Sequence, residues 1–388
     1  MVHRGMRQDF LGELLQTSVG VRDRLSRMLT SQEWEWLLNE ADRHAIVGIL
    51  ACGVIRLPKE QQPPKGILLQ WMGPMLFIEQ KNKLVTRVCQ NLCRRFEADG
   101  FACCVLKGQA NHAYYPSEMG ARRHSGDIDI WIQPKVLKRE KGGSNPTREV
   151  VEYVQEKMEM TGLCWLHANC DVEEVPVEVH FRPSFFSRPI RNRRFQRHFS
   201  DITSCVEWKS VGEAEIPAMK VEEDVIYQMN HIFRHLIDEG IGLRQIVDYY
   251  YVLKRFREDC FALKDSGEPK VKKVTEMINW LGMNRFAKAL MYVLKELLGM
   301  PEEYLLYIPS EKDGKFLMDE ILMSGNFGHQ DPRMEQIASG GYLKRRFSQA
   351  RRRFKRNLRF LTSYPGEVLW EPVVRVEHFA WKKLKLWE

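Results

Sequence analysis

An apolar run at residues 125–132, SGDIDIWI, carries two acidic residues two positions apart. In a β-strand, residues i and i+2 project from the same face. Asp127 and Asp129 are therefore predicted to project together near the start of a strand, while Ile128 and Ile130 face a core. Two adjacent carboxylates repel each other unless a positive charge lies between them. A hard divalent cation such as Mg²⁺, which commonly arrives with substrate phosphates, would meet this need.

A third acidic residue, Glu178, lies in a second strand-like segment, residues 175–181, VPVEVHF. If the two strands are neighbours, the three acids form one cluster that can hold one or two metal ions for displacement at phosphorus. His180 is interpreted as a structural histidine on the face opposite Glu178. Simpler alternatives stay open, because the two aspartates could cap a turn and a strand end, and Glu178 could face solvent at a sheet edge.

Length and composition bound the protein class. A chain of 388 residues is expected to contain two or three domains. No apolar run approaches the roughly 20 residues needed to cross a bilayer, and the first ten residues contain no signal-peptide core. The nine cysteines are scattered without a CxxC pair, which favours reduced, mostly buried thiols and a cytoplasmic protein.

Local patterns along the chain predict an α+β fold with helices on both sides of a central sheet. Thr30-Ser31-Gln32-Glu33 is typical of a capping box that begins a helix. Strands are predicted at 101–106, 127–132, 163–168 and 175–181. The predicted segments are an N-terminal helical region at 1–95, a sheet-containing core at 96–215, a helical domain at 216–330 and a basic amphipathic segment at 331–388.

The net charge of +8 is concentrated near the C-terminus. Residues 344–388 contain 13 Lys and Arg against four Glu, so the rest of the chain is nearly neutral. Residues 344–359 contain nine of these bases and no acid. Phe347, Phe354, Leu358 and Leu361 fall on one face of the predicted helix. Three interpretations stay open: contact with nucleic acid, attachment to an anionic membrane surface, or packing of the apolar face on the protein itself.

An ordered set of short motifs adds a family resemblance. In chain order the motifs are VLKG at 105–108, YP at 115–116, Arg122, GDID at 126–129 and VEVH at 177–180. Together they resemble the bacterial uncharacterised nucleotidyltransferase family of the DNA polymerase beta-like superfamily, over roughly residues 30–300. Lys107-Gly108 stands where the wider superfamily carries Gly-Gly or Gly-Ser, and the gap to Asp127 is longer.

The resemblance implies a nucleotidyltransferase-type mixed sheet and an enzyme that uses Mg²⁺, or Mn²⁺, to transfer an NMP from an NTP such as ATP to a hydroxyl. Its catalytic and metal-binding residues would be Asp127, Asp129 and Glu178. Its nucleotide-binding residues would be Lys107, Gly108, Arg122 and Gly126. Gly108 would let the backbone approach the triphosphate, and Lys107 and Arg122 would neutralise phosphate oxygens. The acceptor stays open among small molecules, proteins and RNA.

Several of these residues also have simpler interpretations. Lys107 and Gly108 could be an ordinary strand-end lysine and turn glycine, and Arg122 a loop charge. The chain could also be a catalytically inactive relative that binds nucleic acid or a membrane surface through residues 344–359. A protein-kinase-like phosphotransferase is excluded, because the sequence has no glycine-rich loop before Lys107 and no His-Arg-Asp or Asp-Phe-Gly motif.

Overall fold

The computed structural model describes residues 2–136, 145–263, 267–328, 331–333 and 341–387. The chain forms two compact units. One unit consists of Met1–Met75 and Met229–Trp370, and the other consists of Leu76–Gln228 and Glu371–Glu388. Each unit is thus built from two separate stretches of the chain.

Helices make up most of the first unit, and a sheet with its covering helices makes up the second. In chain order the helices are α1 (Val2–Val19), α2 (Ser31–Arg43), α3 (Val47–Arg56), α4 (Lys65–Ala98), α5 (Gln109–His112), α6 (Ser117–Arg122), α7 (Pro146–Lys157), α8 (Pro189–His198), α9 (Ile202–Cys205), α10 (Val221–Asp238), α11 (Leu243–Ala262), α12 (Gly267–Trp280), α13 (Asn284–Leu298), α14 (Glu311–Ser324), α15 (Tyr342–Phe360) and α16 (Pro365–Lys383). The strands are β1 (Phe101–Val105), β2 (Ile128–Pro134), β3 (Met160–Leu163), β4 (His167–Val172), β5 (Val175–His180), β6 (Val206–Val211) and β7 (Ala214–Met219).

The seven strands form one mixed sheet in the order β3-β4-β5-β2-β1-β7-β6. The β2–β5 and β1–β7 pairs are parallel, and the other neighbouring pairs are antiparallel. This arrangement confirms the predicted α+β class with a central mixed sheet. The two predicted strands that carry acids are direct neighbours.

A single apolar core covers one face of this sheet. The buried side chains come mainly from α4, α7 and the strands, with Trp381 and Trp387 from the C-terminal segment. The members from β2 and β5 include Ile128, Ile130, Ile132, Val177 and Val179. Full burial of a side chain of this size stabilises the fold by about 1.5–3 kcal/mol. The core therefore fixes which residues of β2 and β5 face inward, and the intervening residues must project from the opposite face.

Two predicted local signals, the capping box of α2 and the acidic turn between β4 and β5, lie at the ends of these elements. Thr30 caps α2: its hydroxyl accepts from the Glu33 amide at 3.3 Å, and the Glu33 carboxylate accepts from the Thr30 amide at 2.8 Å. The acidic turn between β4 and β5 consists of Glu173 and Glu174, which both have positive φ, at 50° and 63°. Positive φ at both central positions matches the twist of a two-residue hairpin.

The β6–β7 hairpin was not predicted. In β6, Val206 and Trp208 alternate with Glu207 and Lys209, but the pattern ends at Ser210. Four residues of alternation are only a weak signal for a strand. Pro217 lies inside β7, and proline normally argues against a strand interior. β7 pairs with β6 on one side and with β1 on the other, where Val105 lies opposite Ala218. The pairing with β1 is a long-range contact that local sequence patterns do not encode.

Two further expectations concern cysteines and membranes. All nine cysteines are free thiols, and eight of them are buried. Within the ranges given above, no helix combines the length and the apolar character that a bilayer crossing requires.

Candidate active site

The parallel pairing of β2 with β5 organises the site. Asp129 lies opposite Glu178, and Ile128 lies opposite Val177. Because side chains alternate along a strand, Ile128 faces the core and the two acids project from the other face. Asp127, immediately before β2, joins them, and the three carboxylates each have an oxygen within 4.8 Å of the others. The three acids that were expected to cluster lie together.

Asp129 is the most enclosed member, with an exposure of 1%. Its Oδ1 lies 3.0 Å from Lys107 Nζ and 3.2 Å from His180 Nε2. Its Oδ2 is buried and has no hydrogen-bond partner among the described residues. A buried carboxylate needs compensation, and here only one of its two oxygens receives it. The second oxygen is therefore available to a cation.

The electrostatics of this pair follow from burial and from neighbouring charge. Burial raises the pKa of Asp129, but Lys107 and the hydrogen bond from His180 outweigh it and hold the pKa below its ordinary value. Burial likewise lowers the pKa of Lys107, and the carboxylates of Asp129, Asp127 and Glu178 more than reverse this. Both groups are therefore charged at neutral pH, as an ion pair inside the site.

Glu178 is held by two imidazoles. Its Oε2 lies 3.3 Å from His180 Nε2 and 3.2 Å from His167 Nδ1. Burial raises the pKa of Glu178, but His180, His167 and Lys107 lower it to about 2 overall. The side chain keeps 29% of its surface exposed, so an ionised carboxylate faces solvent at the edge of the cluster.

The interpretation of His180 from the sequence was wrong. Residues 178 and 180 are separated by two positions and therefore share one face of β5, where both contact the acidic cluster. The ring is 4% exposed. Burial lowers the pKa of His180, while hydrogen bonds to Asp129 and Glu178 raise it above its ordinary value. His180 is thus part of the site's charge balance.

The donor set fits a hard divalent cation. Three carboxylates within reach of one another repel, and Lys107 compensates only part of their charge. Carboxylate oxygens are the ligands that Mg²⁺ and Mn²⁺ prefer, and the Oδ2 of Asp129 offers an unused one inside the cluster. Asp127, Asp129 and Glu178 are the residues that could hold such an ion.

Comparison with known proteins identifies the family. The model of the family described as "Uncharacterised nucleotidyltransferase" matches residues 30–299, more than half of the chain. The chain belongs to this family. Among solved structures, the chain is similar to an antigenic nucleotidyltransferase-like protein from Paracoccidioides brasiliensis. The similarity has 10% identity and a TM-score of 0.30, and it covers 51% of this chain and 91% of that one. A search of curated proteins gives no match.

In this nucleotidyltransferase-family chain, Lys107 and Arg122, both predicted to bind the nucleotide, contact different acids. Lys107 contacts Asp129 directly, as described above. Arg122 ends α6, and its Nε lies 2.6 Å from Oε1 of Glu79 in α4. The structure therefore brings Lys107 to the acidic cluster, while the described ion pair of Arg122 is made elsewhere in the same unit.

Gly108 and Gly126 differ in whether the backbone conformation requires a glycine. Gly108 has φ of 62° and ψ of −109°, a conformation that residues with a Cβ rarely adopt, and it directly precedes α5. Gly126 has no such requirement, because a Cβ added there would meet no atom within 4 Å. The space beside Gly126, next to Asp127, is thus open to another molecule.

His167 is the site residue that the sequence did not indicate. It lies on β4 directly opposite His180 of β5, and only the register of the hairpin brings it to Glu178. The acidic turn predicted between the two strands was the available signal. Counting outward from Glu173 and Glu174 as a two-residue turn pairs Val172 with Val175 and His167 with His180.

Proposed function

We propose that this chain transfers a nucleoside monophosphate from an NTP to an acceptor hydroxyl and releases pyrophosphate, with Mg²⁺ or Mn²⁺ as cofactor. The observation that carries the proposal is the buried, unpartnered Oδ2 of Asp129 beside the carboxylates of Asp127 and Glu178. Membership of the nucleotidyltransferase family supplies the reaction class.

In this reaction the acceptor oxygen forms a bond to the α-phosphorus. The bond from that phosphorus to the bridging oxygen of pyrophosphate breaks, and the hydroxyl proton leaves to solvent. When bound, a divalent cation neutralises phosphate charge and makes phosphorus more susceptible to attack. Asp127 and Asp129 would hold it, and Lys107, adjacent to Asp129, would place a positive charge near the phosphate oxygens.

Glu178 contributes as a ligand that keeps its charge. With a pKa of about 2, it is a weak proton acceptor at neutral pH, because an efficient general base has a pKa near the working pH. Its partial exposure places a carboxylate oxygen at the open side of the cluster, where an acceptor would approach. Gly108 and Gly126 would allow close approach of the triphosphate, and Arg122 is proposed as a further phosphate contact.

The test is isothermal titration of each NTP in the presence of Mg²⁺, on wild type and on Asp127→Asn. This variant is preferable to an Asp129 variant, because Asp129 is buried against Lys107 and its loss would destabilise the fold. We expect Mg²⁺-dependent binding of at least one NTP by wild type and a loss of at least about tenfold in the variant. The NTP that binds identifies the nucleotide donor.

Asp171→Asn is the matched control, because Asp171 is an exposed acid of β4 in the same hairpin and outside the cluster. Its NTP affinity should equal that of wild type. Equal NTP affinity in wild type and Asp127→Asn, or no Mg²⁺-dependent binding by a folded wild type, contradicts the proposal.

One observation on α15 favours a second function, attachment to an anionic membrane surface. Phe347, Phe354 and Leu358 are 73%, 63% and 52% exposed, so this apolar face does not pack on the described chain. Exposed bases, Lys344, Arg351 and Lys355 among them, lie on the same helix. Apolar side chains inserted at the interface together with lysines and arginines near anionic headgroups are the physical requirements for interfacial binding.

Co-sedimentation with vesicles tests this second function. We expect binding to phosphatidylcholine vesicles that contain phosphatidylserine and none to phosphatidylcholine alone, with loss of binding in Phe347→Ser/Phe354→Ser. Ile308→Ser, which changes an exposed apolar residue outside α15, should bind like wild type. Binding to a single-stranded RNA oligonucleotide without binding to either vesicle would replace the membrane by nucleic acid as the partner.

A further inference from the structure

Two imidazoles converge on one oxygen of the acidic cluster. His167 Nδ1 and His180 Nε2 lie 3.2 and 3.3 Å from Glu178 Oε2, and the two ring centroids are 4.7 Å apart. One donor atom from each of the three residues lies within 4.8 Å of the others. His167 and His180 are paired positions of the β4–β5 hairpin, so both rings are mounted on a rigid, hydrogen-bonded support.

The second nitrogen of His180 indicates how its ring is protonated. His180 Nδ1 lies 3.3 Å from the backbone carbonyl oxygen of Arg182. A carbonyl can only accept, so Nδ1 carries the hydrogen, and in the neutral ring Nε2 presents a lone pair. That lone pair faces carboxylate oxygens of Asp129 and Glu178 at 3.2 and 3.3 Å. Such an arrangement requires a positive charge at Nε2, either a proton or a metal ion.

The separations of the two imidazole nitrogens from Glu178 Oε2 suit a tetrahedral metal site. A tetrahedron of ligands at the Zn²⁺–nitrogen distance of about 2.0–2.1 Å has an edge of about 3.3 Å, and both measured nitrogen–oxygen separations match this edge. A ligating histidine usually donates its other nitrogen to a carbonyl or carboxylate, which is what His180 does with Arg182. Glu178 is partly exposed, so a water molecule could complete the coordination.

We propose that His167, Glu178 and His180 form a binding site for a divalent transition-metal ion of the Zn²⁺ type, adjacent to the carboxylate site and sharing Glu178 with it. Imidazole nitrogens select such ions over Mg²⁺, whereas the three carboxylates favour hard cations. The inference goes beyond the proposed nucleotidyl transfer, because metal binding to the imidazoles requires neither a nucleotide nor an acceptor.

The test uses Co²⁺ as a spectroscopic substitute for Zn²⁺, added to the full chain after treatment with a chelator. We expect one equivalent of Co²⁺ to give the visible absorption of a tetrahedral nitrogen- and oxygen-ligated ion, and one equivalent of Zn²⁺ to remove it. His167→Asn should raise the dissociation constant for Zn²⁺ by about 100-fold or more, since the loss of even a supporting residue commonly costs 10–100-fold.

Two control variants make the result specific. His198→Asn removes another histidine paired with a carboxylate, Glu223, outside the cluster, and should bind Co²⁺ like wild type. Asp127→Asn should also bind Co²⁺ like wild type while losing Mg²⁺-dependent NTP binding, which separates failure of this site from failure of the proposed transfer.

Three outcomes would overturn the proposal. They are no Co²⁺ binding by a folded wild type, equal binding in His167→Asn, and loss of Co²⁺ binding in Asp127→Asn. His167 is chosen for substitution because it is partly exposed, so its replacement should disturb the fold little. Circular dichroism and thermal unfolding of the His167→Asn variant report whether it is folded.

Discussion

At the scale of single residues, the site is a balance of buried charge. Lys107 places a positive charge among three carboxylates, and its own side chain is only 19% exposed. Breaking a buried ion pair leaves the remaining charge without compensation, which is costlier than the net value of the pair. Strand alternation predicts that Asp127 and Asp129 share one face, whereas Glu178 joins them only because β5 pairs with β2 and Glu178 lies opposite Asp129.

Lys107→Met is expected to lower the free energy of unfolding by about 3 kcal/mol, because it leaves Asp129 ionised and buried. Urea unfolding in the presence of a chelator measures this change. The double variant Lys107→Met/Asp129→Asn should recover a substantial part of the loss. If the single variant were as stable as wild type, the ion pair would contribute nothing to the fold.

Gly126→Ala separates a ligand-related glycine from a conformational one. The added methyl group has open space, so the free energy of unfolding should stay within about 0.5 kcal/mol of wild type, while Mg²⁺-dependent NTP affinity falls. Gly108→Ala is the contrast, because its φ of 62° and ψ of −109° form a conformation that residues with a Cβ rarely adopt, and such strain costs about 1–3 kcal/mol. Unchanged NTP affinity in Gly126→Ala would remove Gly126 from the nucleotide site.

At the scale of elements, the sequence predicted features that depend on local signals but not those that depend on long-range strand pairing. The capping box at Thr30 was readable because all its atoms lie within four residues. The β6–β7 hairpin and the position of His167 were not readable, since both depend on which strand pairs with which and in what register. The error over His180 was different in kind, because strand alternation already places it on the face of Glu178.

The junction between α2 and α11 supplies a prediction about pH. His44, at the end of α2, is fully buried, and its Nδ1 accepts a hydrogen bond from the Leu243 amide at 3.3 Å. Burial, assisted by the charge of Arg43, lowers the pKa of His44 to about 3. The folded protein therefore holds this ring neutral.

Since the unfolded chain binds a proton at an ordinary pKa of about 6.5 and the folded chain does so only near 3, acid favours unfolding. Stability should fall as the pH drops from about 6.5 towards 3, by up to about 1.4 kcal/mol per pH unit from this residue. In His44→Asn, which keeps an acceptor near the Nδ1 position, thermal unfolding between these pH values should depend less steeply on pH. An equally steep dependence would show that His44 is not the titrating group.

At the scale of the whole molecule, the C-terminal segment divides between the two units. The basic amphipathic segment at 331–388 stays a prediction, and within it residues 371–388 belong to the unit that contains the sheet. Trp381 and Trp387 are 4% and 7% exposed within the core of that unit, and His378 stacks on Trp165 with ring centroids 4.7 Å apart. The last helix is therefore structural for the sheet.

Trp381→Ala should lower the free energy of unfolding by about 3–5 kcal/mol, the usual cost of removing a large buried aromatic side chain. Trp370→Ala is the matched control, since Trp370 lies on the same helix with 42% of its surface exposed. Guanidinium unfolding followed by circular dichroism measures both. Equal stability of the two variants would show that α16 is not part of the core.

The order in which the chain is synthesised gives this architecture a consequence for biogenesis. The first stretch of the sheet unit runs from Leu76 to Gln228, and its second stretch is synthesised only after Met229–Trp370. While those residues emerge from the ribosome, the apolar surface that Trp381 and Trp387 later cover is still open. We therefore expect the sheet to complete its core only after residues 371–388 are made, and to expose surface that favours aggregation until then.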